Sequence, residues 1–407
     1  MTGPASSPAP HAGAVPARPR HGADDEPARG DRAGARRGRL DGVDAARAAA
    51  LVGMACTHTL PLRDDAGAPT LTALIASGRA SALFAVLAGV GIALATGGPR
   101  PPADGRAHAA AGAGIVVRGV LVGLLGLALV DLVPPVAVIL AYYGLLFCLA
   151  VPLLRLSPAV LAAGAVVVAA GAPVLSHVLR SGLPAGPGPQ AALGDLADPG
   201  GLLTTLVLTG YYPVLPWTAY LLAGLAVGRL DLRSPRVAAA LLGGGAALAA
   251  AAAVASALLV RAAGPALDAA ELAERRAGTT PTDTWWWLVV AQPHSGTPFD
   301  LAHTTGTALA VLGLALLLAG AVPAVTWLPA AVGAVPLTLY TTHVVALSEV
   351  PATGDGRVAV LLVHLVAAVV IGVALRLAGL RGPLEAVLGA VSRTTRDTTS
   401  RLLSAGR

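Results

Sequence analysis

Arg47 and His58 stand eleven residues apart in "DGVDAARAAALVGMACTHT", residues 41 to 59, where most other side chains are apolar or small. Eleven residues make about three turns of a helix, so both side chains share one face, about 16 Å apart along the axis. An arginine presents a planar fork that grips phosphate through paired hydrogen bonds. A neutral histidine can take the proton from an attacking hydroxyl or amine. Arg118, in "GIVVRGVLVG", brings a second arginine into an apolar segment, and His303, His343 and His364 recur in others. His294 and Asp300 lie just ahead of His303. Ionisable residues are costly inside a spanning segment and usually face a cavity or the bundle interior. Blander roles exist for each: Arg47 and Arg118 can snorkel to headgroups, Asp44 can pair with Arg47, and His58, His343 and His364 can serve as packing or hydrogen-bonding residues.

These residues sit in a very apolar chain of 407 residues, 55% hydrophobic and 12% charged, with mean hydropathy +0.72. A soluble protein carries about a quarter of its residues as charges. The apolar runs reach the ~20 residues that a bilayer crossing requires, and they lack the period-two alternation of a barrel. The fold class expected is all-α, a polytopic transmembrane bundle of about ten spans, in a multi-pass protein of the cell membrane. The spans are expected at 43–61, 73–97, 112–131, 135–154, 158–179, 211–228, 237–260, 301–322, 329–349 and 357–378. The stretch "GLLTTLVLTG" at 201–210 is too short to cross; it either lengthens the sixth span or adds an eleventh, re-entrant element.

All 28 basic residues are arginine, and the net charge is +6. They flank the apolar runs, where they set topology, so the basic balance does not point to nucleic acid. The positive-inside rule places both termini in the cytoplasm. The segment 1–40, rich in Pro, Ala, Gly and Arg, reads as a disordered basic tail. It is followed by a transmembrane domain over 41–380 and a cytoplasmic C-terminal tail over 381–407. On this topology His58, His294, Asp300, His303, His343 and His364 gather on the extracytoplasmic half. The connection 262–300 contains three tryptophans, 285–287, suited to a membrane interface. The segment "VAAALLGGGAALAAAAAVASALLV" has no polar handle and reads as scaffold, its small residues allowing close packing. Cys56 and Cys148 give neither a disulfide framework nor a zinc pattern. No two histidines stand at i, i+4 with a carboxylate or cysteine to complete a set, so no metal is expected.

The stretch "RLDGVDAARAAALVGMACTHTL" resembles the first span of membrane acyltransferases, marked by an arginine, ten residues and a histidine. Together with "GRASALFAVLAGVGIAL", "YYPVLPWTAYLLAGLAVGRLDL", "PHSGTPFDLAHTTGTALAVLGLAL" and "LTLYTTHVVAL" it is similar to bacterial heparan-alpha-glucosaminide N-acetyltransferase-like proteins. "RGPLEAVL" looks like the closing motif of related bacterial membrane proteins of unknown function. The resemblance covers about residues 38 to 390.

It implies transfer of an acetyl group from cytoplasmic acetyl-CoA to an extracytoplasmic saccharide amine or hydroxyl. His58 would be the catalytic base, with Asp300 and His303 orienting it or binding the acceptor, and Arg47 and Arg118 lining the donor path. Arg79, His294 and His343 would contact the acceptor. In the lysosomal branch the catalytic histidine lies further into the first external loop, and here that loop, "TLPLRDDAGAPT", has none. The expected partners are therefore the lipid bilayer, acyl-CoA and a saccharide, in a chain whose oligomeric state is open and compatible with a homo-oligomer. The rival expectation is a transporter or exporter of an envelope glycan or lipid-linked precursor, since buried charges and broken spans also serve transport.

Overall fold

The computed structural model describes residues 1–3, 40–132, 136–183, 190–267, 272, 278–349 and 356–405. Leu40–Arg407 forms one compact unit. The expected disordered tail lies outside the described residues, apart from its two ends. Among the described residues the structure is helical and has no strand, only one isolated bridge between Arg63 and Pro69.

Helix α1 is Asp41–Thr59, α2 Leu71–Ala76 and α3 Arg79–Ala95. They are followed by α4 Gly105–Leu132, α5 Leu140–Ala150 and α6 Pro158–Arg180. A short α7, Pro199–Thr204, continues as a π turn over Thr205–Thr209, so the stretch around 201–210 is helical before α8, Val214–Gly228. Then come α9 Pro235–Ala263, α10 Pro298–Ala321, α11 Pro323–Val332 and α12 Pro336–Ser348. The chain closes with α13 Arg357–Ala378 and α14 Pro383–Ala405. The C-terminal segment is thus a packed helix: α14 runs along α4, where the Gly114 Cα faces the carbonyl of Ser392.

Eight of the expected spans each fall on one of these helices, whereas 73–97 covers parts of α2 and α3 and 329–349 runs across the break between α11 and α12. By length and composition, however, six segments among the described residues qualify as crossings, or seven when α11 and α12, bent by 56°, count as one. The difference has a physical source. Helix α8 is too short, yet buried along nearly its whole length. Its apolarity therefore serves the protein interior rather than lipid. Helix α5 is similarly short and mostly buried. Helix α1 carries Asp41, Asp44, Arg47 and His58 within 19 residues; residues of this kind turn toward the bundle interior, and they lower the mean apolarity of the helix below that of the six.

With lipid outside, helices gain little from hydrophobic association and instead need close backbone contact, which small residues permit. Helix α8 crosses α3 at Gly89 and Gly224; a methyl on Gly89 would lie 2.6 Å from the Leu221 carbonyl, and one on Gly224 would overlap the carbonyl of Val86. Helix α9 meets α10 at Gly245 and Gly306, where an added Cβ would come within 2.6 Å of the partner backbone. The glycine- and alanine-rich α9 is thus the expected scaffold. By contrast, nothing stands within 4 Å of a methyl placed on Gly243. Gly224→Val should lower the thermal midpoint of the purified protein, as overpacking costs about 1–3 kcal/mol, whereas Gly243→Ala should leave it unchanged or raise it. Equal midpoints for the two variants would contradict this packing.

Candidate functional site

The polar residues of α1 are fixed by two neighbours. Arg47 Nη1 donates to Asp44 Oδ1 at 2.6 Å, with the Asp44 side chain buried and Arg47 about a quarter exposed. This is the intrahelical pair anticipated from spacing. Gly91 on α3 leaves room for the guanidinium, since a Cβ there would lie 3.1 Å from Arg47 Nη2. On the other side, the break between α11 and α12 presses on α1: a side chain at Gly333 would overlap the carbonyl of Asp44. Eleven residues further on, near the opposite end of the helix, stands His58.

His58 Nδ1 lies 3.2 Å from His343 Nε2, and His343 Nδ1 lies 2.8 Å from His364 Nδ1. The rings of His58 and His343 stack at 5.4 Å, and that of His364 stands edge-on to His343 at 4.7 Å. Three histidines from α1, α12 and α13 therefore form one continuous chain. A neutral imidazole has one donor and one acceptor nitrogen, so the chain has two coherent proton arrangements. With His343 donating to His364, His58 donates from Nδ1 and carries its lone pair on Nε2. With His364 donating, the order reverses and Nε2 of His58 carries the hydrogen. His343, expected at the acceptor, thus lies against His58 itself.

A second grouping forms where α3 begins. Arg79 Nε donates to His303 Nε2 at 3.2 Å, and the other ring nitrogen of His303 meets the Ala249 carbonyl at 2.9 Å. A carbonyl can only accept, so Nδ1 bears the hydrogen and Nε2 the lone pair that Arg79 uses. Asp300 is buried at 3% exposure, accepts from the Gly296 amide at 3.0 Å and attracts Arg79 electrostatically. The "HSGTPFD" turn is held against α3: a side chain at Gly78, φ +73°, would lie 3.0 Å from Pro293. His294 has φ 62°, a left-handed value uncommon outside glycine, and its ring meets Tyr211 and Tyr212 edge-on at 5.0 and 5.6 Å. The His58 and Arg79 groupings share one end of the bundle, because Gly53 of α1 packs on Ala76 and Ala80 beside the start of α3.

Arg118 stands apart, its guanidinium 5.9 Å from the Phe147 ring and electrostatically linked to both Arg47 and Glu385. Glu385 is a residue that the sequence marked only as part of "RGPLEAVL". Its Oε1 accepts from the amides of Leu337 and Thr338 at 2.7 and 3.0 Å, and Oε2 from the Thr338 hydroxyl. A carboxylate on the first amides of a helix satisfies donors that have no partner within the helix. Glu385 thereby anchors α12, the helix that carries His343. The signal available in advance was a lone acidic residue after Gly-Pro in a run of few acids; its partner, 47 residues upstream, was not readable.

The tryptophans behave differently from one another. Trp285 stacks on His177 at 4.4 Å and Trp286 is exposed, but Trp287 is buried with Ala263, Leu267 and Val290, its Nε1 donating to Asp283 at 2.9 Å. It forms a small core for the 262–300 connection rather than an interface anchor. Among the described residues, no group of three or more His, Cys, Asp or Glu is arranged to hold a metal ion.

A family model described as heparan-alpha-glucosaminide N-acetyltransferase, catalytic, matches residues 39–260, more than half of the chain. The match contains Arg47, His58, Arg79 and Arg118, and it ends before Asp300, His303, His343 and His364. Comparison with curated proteins returns no match. Glu385→Ala should leave the Leu337 and Thr338 amides without their partner, at about 1–3 kcal/mol. Hydrogen exchange should accelerate at those amides and in α12 while α8 stays protected; unchanged exchange in α12 would remove Glu385 from this role.

Proposed function

The chain belongs to the heparan-alpha-glucosaminide N-acetyltransferase catalytic family, and from that premise we propose that it moves an acetyl group from cytoplasmic acetyl-CoA to an extracytoplasmic saccharide amine or hydroxyl. The observation that carries the reading is the hydrogen-bonded chain His58–His343–His364 on the face of α1 that also bears Arg47. His58 is the general base. With its Nδ1 hydrogen donated to His343, its Nε2 takes the proton as the acceptor nitrogen or oxygen attacks the thioester carbonyl. The new C–N or C–O bond forms, the C–S bond breaks, and the sulfur leaves as the thiolate of CoA, which is reprotonated. His343 and His364 hold the tautomer of His58 and share the imidazolium charge, the task a carboxylate performs for histidine elsewhere.

The donor's phosphates lie at the other end of α1. Arg47 offers nitrogen donors beyond the one that Asp44 uses, and Arg118 adds a second cation nearby. The acyl arm then extends along α1 toward His58. Arg79 takes the role of acceptor or oxyanion ligand, oriented by His303 and charge-matched by Asp300, with His294 and its tyrosine neighbours shaping the saccharide site. His303 acts in this scheme through Arg79, because both of its ring nitrogens are already engaged. The membrane is the cell membrane, and the arginine-rich loops orient the donor side inward.

The break between α11 and α12 favours one rival, a transporter for an envelope glycan or lipid-linked precursor. Purified protein in nanodiscs, given radiolabelled acetyl-CoA and glucosamine-containing acceptors, separates the two. Wild type should transfer label. His58→Ala should lose about a hundredfold or more of the rate, the scale of general base catalysis, while Arg47→Ala should chiefly raise KM for acetyl-CoA. No donor binding by the well-folded wild type, or full activity in His58→Ala, would overturn the acyltransferase reading.

A further inference from the structure

Between α1, α12 and α13 lies a groove of about 240 Å³, larger than the ~150 Å³ cavity that suffices to hold benzene. Its lining is almost wholly apolar, including Leu51, Val52, Ala346, Val363 and Ile371, with the imidazoles of His343 and His364 in its wall. Its lips are apolar side chains of membrane-embedded helices, with Val52 40% and Val363 65% exposed, so it opens sideways onto hydrocarbon. Helix α13 makes this opening. Near its C-terminal end it is held to the bundle, where Gly372 packs on Val332 and Arg376 reaches Asp41 at 2.9 Å. Toward its N-terminal end only Leu361 is buried. On the α1 side the groove reaches Ala55, one helical turn before His58.

We propose that this groove receives the hydrocarbon chain of a lipid-anchored acceptor, which enters from the bilayer and brings its saccharide head to His58. The inference rests on the acyltransferase reading and names the acceptor class for that site. A groove open to lipid and lined by aliphatic side chains suits an alkyl or isoprenoid tail. The two imidazoles in its wall belong to the hydrogen-bonded chain that includes His58. A water-soluble sugar would have no use for a slot of this composition. A lipid-linked one is held in place by it, so the head samples the base without diffusing away.

The test uses the full chain in phosphatidylcholine nanodiscs with a decyl glucosaminide carrying a diazirine on its alkyl chain. After irradiation, labelled peptides are mapped by mass spectrometry. Labelling should concentrate on the stretches around Val52, Ala346 and Val363, and unlabelled decyl glucosaminide should compete whereas free glucosamine should not. Ala346→Phe, which fills the groove, and Val363→Trp, which closes it from the lipid side without touching the bundle interior, should each cut that labelling by about threefold or more, the scale of single contacts within a membrane. Labelling spread evenly over the lipid-facing surfaces of α9 and α13 would overturn the proposal. So would groove labelling displaced by a long-chain acyl-CoA and not by the glucosaminide, which would make the groove a site for the donor's chain. Acetyl transfer to free glucosamine without groove labelling would reject the lipid acceptor and leave the acyltransferase intact. Groove labelling without any acetyl transfer would leave a lipid-saccharide site but overturn the acyltransferase reading and, with it, the acceptor role.

Discussion

The carbonyl oxygen of Asp44 occupies the space that any side chain at residue 333 would need, and much of the molecule is arranged around that contact. It brings the break between α11 and α12 directly against α1. Because the two half-helices meet there at 56°, α12 runs up along α1 and delivers His343 to His58. The same turn of α1 holds the Asp44–Arg47 pair. One backbone-to-backbone contact therefore relates the charged start of α1 to the histidine near its end, and ties both to the broken segment.

A break inside a membrane protein exposes amide and carbonyl groups that no water can satisfy, so the protein must supply partners. Glu385 does this for the start of α12, and α14 is the helix that carries it there. The same economy governs some of the other polar groups. His303 spends one nitrogen on a carbonyl of α9 and the other on Arg79. Arg229, buried at 5%, donates to the carbonyls of Ala93, Gly98 and Leu154 and to the hydroxyl of Thr96, fastening α8 to the turns beside it. Groups tied to several elements at once hold the frame rigid. The histidines at the end of α1 are linked to one another.

The glycine crossings set the distances on which these side chains depend. At Gly89–Gly224 and Gly245–Gly306 the helices approach until backbone touches backbone. This brings the His303 imidazole within reach of the Ala249 carbonyl and places Arg79, at the head of α3, within reach of that same imidazole.

Composition and apolar run length sufficed to indicate a helical membrane protein and to locate most of its apolar helices, though not α14, because a bilayer imposes length and polarity on any segment that meets it. Spacing alone placed Arg47 and His58 on one face, since helical periodicity is local. The resemblance carried by five segments in the same order anticipated the family. Whether an apolar helix faces lipid or protein was not legible: α8 and α5 look like spans until their burial is known. Nor could the sequence pair His58 with His343, Arg79 with His303, or Glu385 with the start of α12. Those partners lie 285, 224 and 48 residues apart, and only the folded chain brings them together. Local pattern decided which residues could do chemistry; helix packing, set by where glycine lets backbones touch, decided which of them meet.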